Sequence, residues 1–193
     1  MSALNSYSAR QKICSGGGRN MLEIGMICAE AGEKIARVSA NMAMAADMEV
    51  RASSTATTGA YSSACQRGLP AILMERGGGG KFTDSEVQAY KRDVKNIMIR
   101  MGLLSGEEVH TVQQKNVTRA EYLEAETDGL WYPVFSAGDT FAGGAVLGTV
   151  RDIWGNLLRE YRADYPGIVL YQTVGLGVKT GDPLIAYGEY VDR

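Results

Sequence analysis

The sequence predicts an α/β fold in which an α/β layer is followed by a β-rich domain. A short apolar run at residues 70–74 has the length and flanking turn residues of a buried strand. The periodic segment 84–101 has the pattern of an amphipathic helix. Two similar extended segments near the carboxyl terminus predict that the second part is mostly strand. Strand, helix and strand repeats in this order are typical of a mixed α/β protein.

Changes in composition along the chain predict its domain organisation. The chain has 193 residues and 45% apolar content, which is enough to bury a core in one or two domains. The first twenty residues are rich in serine and glycine and show no periodicity. We expect a loose segment over residues 1–20, an α/β domain over 21–104, a connector over 105–127, and a β-rich domain over 128–193.

The clearest predicted helix spans residues 84–101. Thr83 and Glu86 have the spacing of a capping box, and Gly102 suits the carboxyl-terminal cap. An earlier helix is predicted from Asn20 to about Val38, because helix-forming residues dominate that stretch. The later helix carries one apolar stripe that we expect to face the core: Val87, Tyr90, Val94, Ile97, Met98 and Met101.

The carboxyl-terminal third contains a quasi-repeat with an offset of 38 residues. Gly129 matches Gly167, and Val146-Leu147 matches Leu184-Ile185. Each copy has an extended apolar segment, a glycine turn and a further strand, so two copies predict a small barrel-like sandwich. Four aromatic residues at strand positions are interpreted as core and not as a site: Trp131, Tyr132, Phe135 and Tyr187.

Glu75 is the candidate catalytic residue. It ends the apolar run that starts at Pro70, and four consecutive glycines, 77–80, follow it after Arg76. Ligands of open α/β sheets gather at the carboxyl ends of strands, and a carboxylate at such a strand end is placed for general acid or base chemistry. The alternative interpretation is structural, because glycines also supply the backbone freedom of a turn.

This motif resembles the second half of the succinylglutamate desuccinylase/aspartoacylase family, the zinc carboxypeptidase-like deacylases. The matching pieces are Gly68-Leu-Pro70, Glu75 with its glycines, and Met101-Gly-Leu-Leu104. The resemblance implies a partial zinc-carboxypeptidase-like α/β layer followed by a β-rich, hammerhead-like barrel-sandwich domain. It also implies that Glu75 is the general base that activates water for hydrolysis of a small N-acylated amino acid.

The resemblance also implies a zinc cofactor, but the family's ligands, a His-x-x-Glu pair and a later histidine, have no counterparts in this chain. His110 is the one histidine, and it lies after the motif in a polar segment. The three cysteines are far apart and form no metal-binding pair: Cys14, Cys28 and Cys65. We name no metal ligand and expect no tight zinc binding by this chain alone.

Composition excludes several classes of function. The net charge is −2, and no basic cluster is interleaved with aromatic residues, so we expect no nucleic acid partner. No apolar run approaches 18 residues and no signal peptide is evident, so we expect no membrane partner and a cytoplasmic protein. Gly77–Lys81 differs from a phosphate-binding loop at both ends, and no nucleotide site is predicted.

Three functional hypotheses follow for the chain. In the first, it derives from a zinc-dependent N-acyl amino acid deacylase, with Glu75 as the base. In the second, it is a non-catalytic binding or regulatory module of that family. In the third, a partner chain completes the site. A homo-oligomer is compatible with all three, and the sequence does not identify the acyl group or the amino acid of the substrate.

Overall fold

The computed structural model describes residues 19–21, 23–28, 32–54 and 59–191. Segment 1–18, most of the stretch predicted to be loose, lies outside the described residues. The helices are α1 (Glu33–Ala45), α2 (Ala60–Gln66) and α3 (Asp84–Arg100). The strands are β1 (Arg19–Met21), β2 (Ile24–Cys28), β3 (Val50–Ser54), β4 (Ile72–Glu75), β5 (Lys115–Glu124), β6 (Gly129–Pro133), β7 (Thr140–Phe141), β8 (Val146–Arg151), β9 (Leu157–Arg162), β10 (Gly167–Thr173), β11 (Gly177–Val178) and β12 (Pro183–Val191).

The strands form two sheets, which confirms the mixed α/β class. The larger sheet has eight strands in the order β1-β10-β12-β5-β3-β2-β4, with β7 paired to β10. β2, β3 and β5 run parallel, and β4 is antiparallel to β2. β5 lies inside the segment predicted to be a connector, and it pairs with β3 on one side and with β12 on the other. One sheet therefore extends from the α/β part into the β-rich part, and the domain boundaries stay predictions.

The smaller sheet has the order β11-β6-β8-β9 and contains part of the quasi-repeat. Its first copy supplies β6, β7 and β8, and the second copy supplies β10, β11 and β12. The short middle strands are exchanged, because β7 pairs with β10 and β11 pairs with β6. The two copies are therefore interleaved, because the short strand of each copy pairs with a longer strand of the other. The hammerhead-like barrel sandwich stays an expectation from the resemblance.

The helix predicted from Asn20 to about Val38 is wrong over its first part and confirmed only from Glu33 onward. β1 and β2 occupy the first part of this stretch, and α1 begins only at Glu33. β2 packs against the segment around α1 at Gly25, where a Cβ would meet the Met48 sulfur at 3.7 Å and the Ala43 Cβ at 3.8 Å, both ordinary contact distances. The close packing of the chain segment around α1 on this strand outweighs the local helix preference.

The boundaries of α3 are confirmed, but its predicted inward face is wrong. The capping box of Thr83 and Glu86 is present, and the helix ends at Arg100. The buried residues of α3 are Ala89, Asp93 and Asn96, whereas most of the apolar stripe is exposed, with Val94 48% exposed. Burial is set here by hydrogen bonds: the Asn96 side chain bonds both backbone groups of Val109, and Asp93 lies in an ion pair.

Two clusters of buried residues form the core. The first lies between the smaller sheet and the carboxyl-terminal strands: Ala125, Trp131, Phe141, Leu147, Val150, Tyr161, Ala163, Tyr165, Val169, Val178, Leu184, Ile185 and Tyr187. The second covers one face of the larger sheet: Val50, Ala52, Val117, Ile168, Leu170, Tyr171 and Ala186. We call the second cluster the sheet floor. None of the described helices is long and apolar enough to cross a membrane.

Candidate active site

Glu75 is the last residue of β4, as the apolar run predicts. Its neighbour in the sheet is Ile24 of β2, and β4 is the last strand of the larger sheet among the described residues. The composition of the run predicts an interior strand, and this position differs from that prediction. Because β4 is antiparallel to β2, Glu75 lies beside the amino ends of the parallel strands, not beside their carboxyl ends. The Oε2 atom of Glu75 is nevertheless buried.

The glycines after Glu75 form a tight turn that leads into α3. Gly77, Gly79 and Gly80 have φ angles of 75°, 62° and 71°, a region that residues with a Cβ rarely adopt. Gly78 forms an antiparallel bridge with Lys81, which closes the turn. The structural interpretation of the glycines therefore holds. It is compatible with the catalytic interpretation of Glu75, because the turn leaves the carboxylate at the strand end.

Arg76 fixes the backbone next to Glu75 through a buried ion network. Its guanidinium is 1% exposed and pairs with Glu23 and with Asp93, whose side chain is fully buried. The Arg76 Nε and Nη2 atoms lie 3.0 and 2.7 Å from Asp93 Oδ2, and Nη2 also donates to the carbonyl of Asp47 at 2.7 Å. Arg76 thus forms buried ion pairs at the edge of the sheet.

The Asp47 side chain continues this network toward the connector. It accepts hydrogen bonds from the backbone N–H and hydroxyl of Thr111, at 2.7 and 2.6 Å, and pairs with Arg92 at 2.9 Å. Burial opposes ionisation of Asp47, but the bonds from Thr111 and Val112 and the charge of Arg92 outweigh it and lower its pKa. The network ties β4, α1, α3 and residues 111–112 together behind Glu75.

Two tyrosines lie near enough to Glu75 for its charge to act on them. Burial raises the pKa of Tyr90 on α3, and Glu75 adds to that shift. Burial raises the pKa of Tyr122 on β5 to about 12, with smaller contributions from Tyr61 and then Glu75. Tyr61, Tyr122 and Leu73 all pack against the sheet floor, so side chains from α2, β4 and β5 meet on this face.

The sequence reasoning missed Tyr61 and Tyr122. Neither stands in a motif, and Tyr122 comes from the segment predicted to be a connector. The spacing in β5 gave one usable signal, because a strand there would place alternate side chains on the face that carries Glu75. The missing information was the register that brings β5 next to β3, which depends on contacts distant in sequence.

Other residues considered from the sequence lie away from Glu75 and have structural roles. The core prediction is confirmed for Trp131 and Tyr187, which are buried in the first core cluster, and for Phe135, which packs against it. It is wrong for Tyr132, which is 43% exposed. His110 is exposed, with Nε2 3.0 Å from a carboxylate oxygen of Glu108. In the part of the chain that the structure describes, no three histidine, cysteine, aspartate or glutamate side chains stand together as a metal site would need. The residues that the structure describes therefore do not fit a zinc ion.

Comparison with known proteins supports the resemblance seen in the Glu75 motif. No protein-family profile matches the sequence. The chain is 28% identical over 127 residues to the N-alpha-acetyl-L-2,4-diaminobutyric acid deacetylase of Halomonas elongata, which covers 63% of this chain and 37% of that protein.

Solved structures show the same fold. The ectoine utilization protein EutE (DoeB) from Ruegeria pomeroyi, in a product-bound structure, matches with a TM-score of 0.78 and 20% identity over 89% of this chain and 54% of its own. A succinylglutamate desuccinylase/aspartoacylase from Rhodobacter sphaeroides matches with a TM-score of 0.75 and 20% identity over 91% and 55%.

These matches define the class of the protein: the chain has the fold of the succinylglutamate desuccinylase/aspartoacylase proteins. By its name, the relative from Halomonas elongata is a deacetylase. The chain spans about half the length of the matched structures and just over a third of the curated relative.

Proposed function

We propose that this chain carries the general base of an N-acyl amino acid deacylase, and that Glu75 is that base. The observation that carries the proposal is the position of Glu75 at the end of β4, between a glycine turn and a sheet face lined by tyrosines. The substrate class is taken from the relative in Halomonas elongata, which deacetylates N-alpha-acetyl-L-2,4-diaminobutyric acid by name.

The proposed chemistry is hydrolysis of the amide bond. A Glu75 carboxylate oxygen accepts a proton from a water molecule as that water attacks the acyl carbon. The protonated Glu75 then gives the proton to the amide nitrogen as the carbon–nitrogen bond breaks. The products are a carboxylic acid from the acyl group and the free amino acid, and Glu75 returns to its ionised form.

The buried ion network supports this role by holding the base in place. The guanidinium that follows Glu75 is fixed by Glu23 and Asp93, so the backbone at the end of β4 has little freedom. A general base must stay within hydrogen-bond reach of the water that it deprotonates, and small displacements are costly for the rate.

Zinc is the metal of the family that the chain resembles, but the described side chains form no metal cluster. The proposed hydrolysis uses Glu75 and water alone. In the proposal, a metal-dependent reaction needs ligands from residues beyond the described ones or from a partner chain.

The test is hydrolysis of N-acetyl-L-2,4-diaminobutyrate by the full chain, with and without added zinc, measured as acetate release. We expect Glu75→Gln to lower the rate by at least about 100-fold, since a positioned base contributes a factor of that order. Glu126→Gln is the matched control, because Glu126 is 57% exposed at its side chain and lies in the β-rich part. Hydrolysis that persists in Glu75→Gln would contradict the assignment of the base.

The second candidate, a binding module, is decided by the same samples. Calorimetric titration with N-acetyl-L-2,4-diaminobutyrate measures affinity apart from turnover. Binding without hydrolysis, in the presence of zinc, would favour the non-catalytic module. Hydrolysis and stoichiometric zinc that appear only after a second polypeptide is added would favour a partner-completed site.

A further inference from the structure

In the described part of the chain, β9 is the last strand of the smaller sheet. The strand order is β11-β6-β8-β9, and within these residues β9 pairs with β8 on one side only. Residues 156–159 are exposed, and two of them are leucines: Leu157 is 54% exposed and Leu158 is 46% exposed. A strand at the edge of a sheet with exposed apolar residues offers its backbone groups to a further strand.

The backbone groups of Glu160 and Arg162 face the open side of β9. Just beyond the strand, the Ala163 N–H donates to the Ala145 carbonyl at 3.0 Å, so the backbone of Ala163 faces the β8 side. Successive residues of a strand direct their N–H and C=O groups to opposite neighbours in turn. The backbone groups of Glu160 and Arg162 therefore point away from β8 and can bond an added strand.

The side chains of the same two residues carry opposite charges on one face of β9. Glu160 and Arg162 form an ion pair at 2.7 Å, with their side chains 34% and 57% exposed. An antiparallel copy of the strand presents the same two charges in the reverse order. Glu160 then lies opposite Arg162 of the second copy, and two such pairs form about one two-fold axis.

Charge selects this register over its neighbours. Moving the second copy by two residues in one direction places Glu160 opposite its own counterpart. Moving it by two residues in the other direction places Arg162 opposite its counterpart and Glu160 opposite Asp164. Like charges directly opposite each other destabilise a sheet, and a shift of one residue would mismatch the backbone groups. The open side of β9 is therefore complementary to a second copy in one register.

The turn between β8 and β9 adds exposed apolar surface next to this strand. Ile153 and Trp154 are 75% and 82% exposed. The turn is held by its own hydrogen bonds, because the Asp152 carboxylate accepts from the backbone N–H groups of Trp154 and Asn156 at 2.8 Å each. An indole that is already fixed in position loses little conformational freedom on association.

We propose that β9 is an interface at which two copies of this chain pair edge to edge and antiparallel, with Glu160 of each copy opposite Arg162 of the other. The two four-stranded sheets then form one continuous sheet of eight strands. The exposed apolar residues of β9 and its turn lie beside the two ion pairs. This inference is independent of the proposed function, because Glu75 lies in the other sheet.

Sedimentation equilibrium of the full chain over a range of concentrations measures the dissociation constant of the dimer. We expect the wild-type chain to form dimers. Glu160→Arg and Arg162→Glu should each weaken the dimer by at least about 10-fold, because two opposite-charge pairs become two like-charge contacts. Both residues are on the surface, and thermal unfolding of each variant checks that the fold is intact.

Mixing the two variants tests the register itself. In an equimolar mixture, the two arginines of the Glu160→Arg chain face the two glutamates of the Arg162→Glu chain. A mixed dimer should therefore form about as tightly as the wild-type dimer, and a tag on one variant should retain the other. The double variant, with both substitutions in one chain, should also dimerise, because it exchanges the two charges.

Arg159→Glu is the matched control. It changes the net charge as much as Arg162→Glu does, but Arg159 lies on the other face of β9, where it pairs with Glu126 at 3.0 Å. Its dissociation constant should stay close to that of the wild type.

Three results would overturn the proposal: a wild-type chain that stays monomeric at every concentration, a dimer that tolerates both single reversals, or a mixture of the two variants that forms no dimer. A monomeric chain that binds a different polypeptide along β9 would also overturn it, since the occupant would then not be a second copy.

Discussion

The α/β part and the β-rich part of this chain bury different kinds of side chain. Behind Glu75, the interior contains charges: the side chains of Asp47 and Asp93 are fully buried, and that of Arg76 nearly so. In the β-rich part, the interior contains aromatic rings. Trp131 and Tyr161 meet edge to face at 5.7 Å, and the Tyr187 ring contacts the rings of both Phe141 and Tyr165.

The two parts of the chain are therefore stabilised by different kinds of interaction. Aromatic packing depends little on pH or salt, and it builds a rigid body from strands that pair far apart in sequence. A buried ion network is sensitive to the loss of any member, because the remaining charge is left in a medium of low dielectric. The residues next to the candidate base therefore depend on electrostatics, whereas the core of the β-rich part depends on shape. Mutations on each side test this division.

The largest effect is expected from Asp93→Ala. The substitution leaves the Arg76 guanidinium buried without one of its two carboxylate partners and removes the acceptor of the Asp47 N–H. Breaking a buried ion pair in this way costs about 3–5 kcal/mol. Chemical denaturation of the full chain, followed by circular dichroism, measures the change in the free energy of unfolding.

Glu126→Ala is the control for this prediction. The pair of Glu126 with Arg159 is as short as many buried pairs, 3.0 Å, but both side chains are more than half exposed. Exposed pairs contribute little, so we expect a change close to zero. A similar decrease in the free energy of unfolding for both substitutions would show that burial does not govern how much the ion pairs in this chain contribute to stability.

A smaller effect, about 1–3 kcal/mol, is expected from Gly148→Ala in the β-rich part. A Cβ on Gly148 would collide with the indole ring of Trp131, which is 2% exposed and cannot move aside freely. Gly177→Ala is the matched control on the same sheet, since a Cβ there meets nothing within 4 Å. The unfolding temperature should fall for Gly148→Ala and stay unchanged for Gly177→Ala. Substrate binding at Glu75 should be retained at temperatures where the Gly148→Ala variant is folded.

The sequence predicts those features that depend on neighbours along the chain. The α/β class, the strand ending at Glu75 and the capped helix α3 follow from local patterns, and the structure confirms them. The inward face of α3 does not follow, because Asp93 and Asn96 are buried only when Arg76 and Val109 are there to pair with them. Polarity on a helical wheel cannot reveal a partner that lies on another element.

The candidate site shows the same limit. Glu75 could be singled out because its run and its glycines stand side by side in sequence. Tyr122 could not, because its place on the sheet floor depends on β5 joining β3 to β12, with irregular register along β12. The offset of 38 residues predicts the matched starts of β6 and β10, but not the exchange of β7 and β11 between the copies.

The smallest effect, and the one that depends on pH, concerns Asp47. Because folding lowers the pKa of Asp47, the unfolded chain takes up the proton first as the pH falls. The stability that Asp47 contributes is therefore complete above the ordinary aspartate pKa of about 3.9 and is lost as the pH falls below it. We expect the free energy of unfolding of the wild-type chain to drop between about pH 4 and pH 2. The free energy of unfolding of the Asp47→Asn variant should drop less steeply, since asparagine has no proton to gain. Urea denaturation at several pH values measures both slopes. Equal slopes would mean that Asp47 is protonated alike in the folded and unfolded chains, and the ion network behind Glu75 would then not account for the sensitivity of the α/β part to acid.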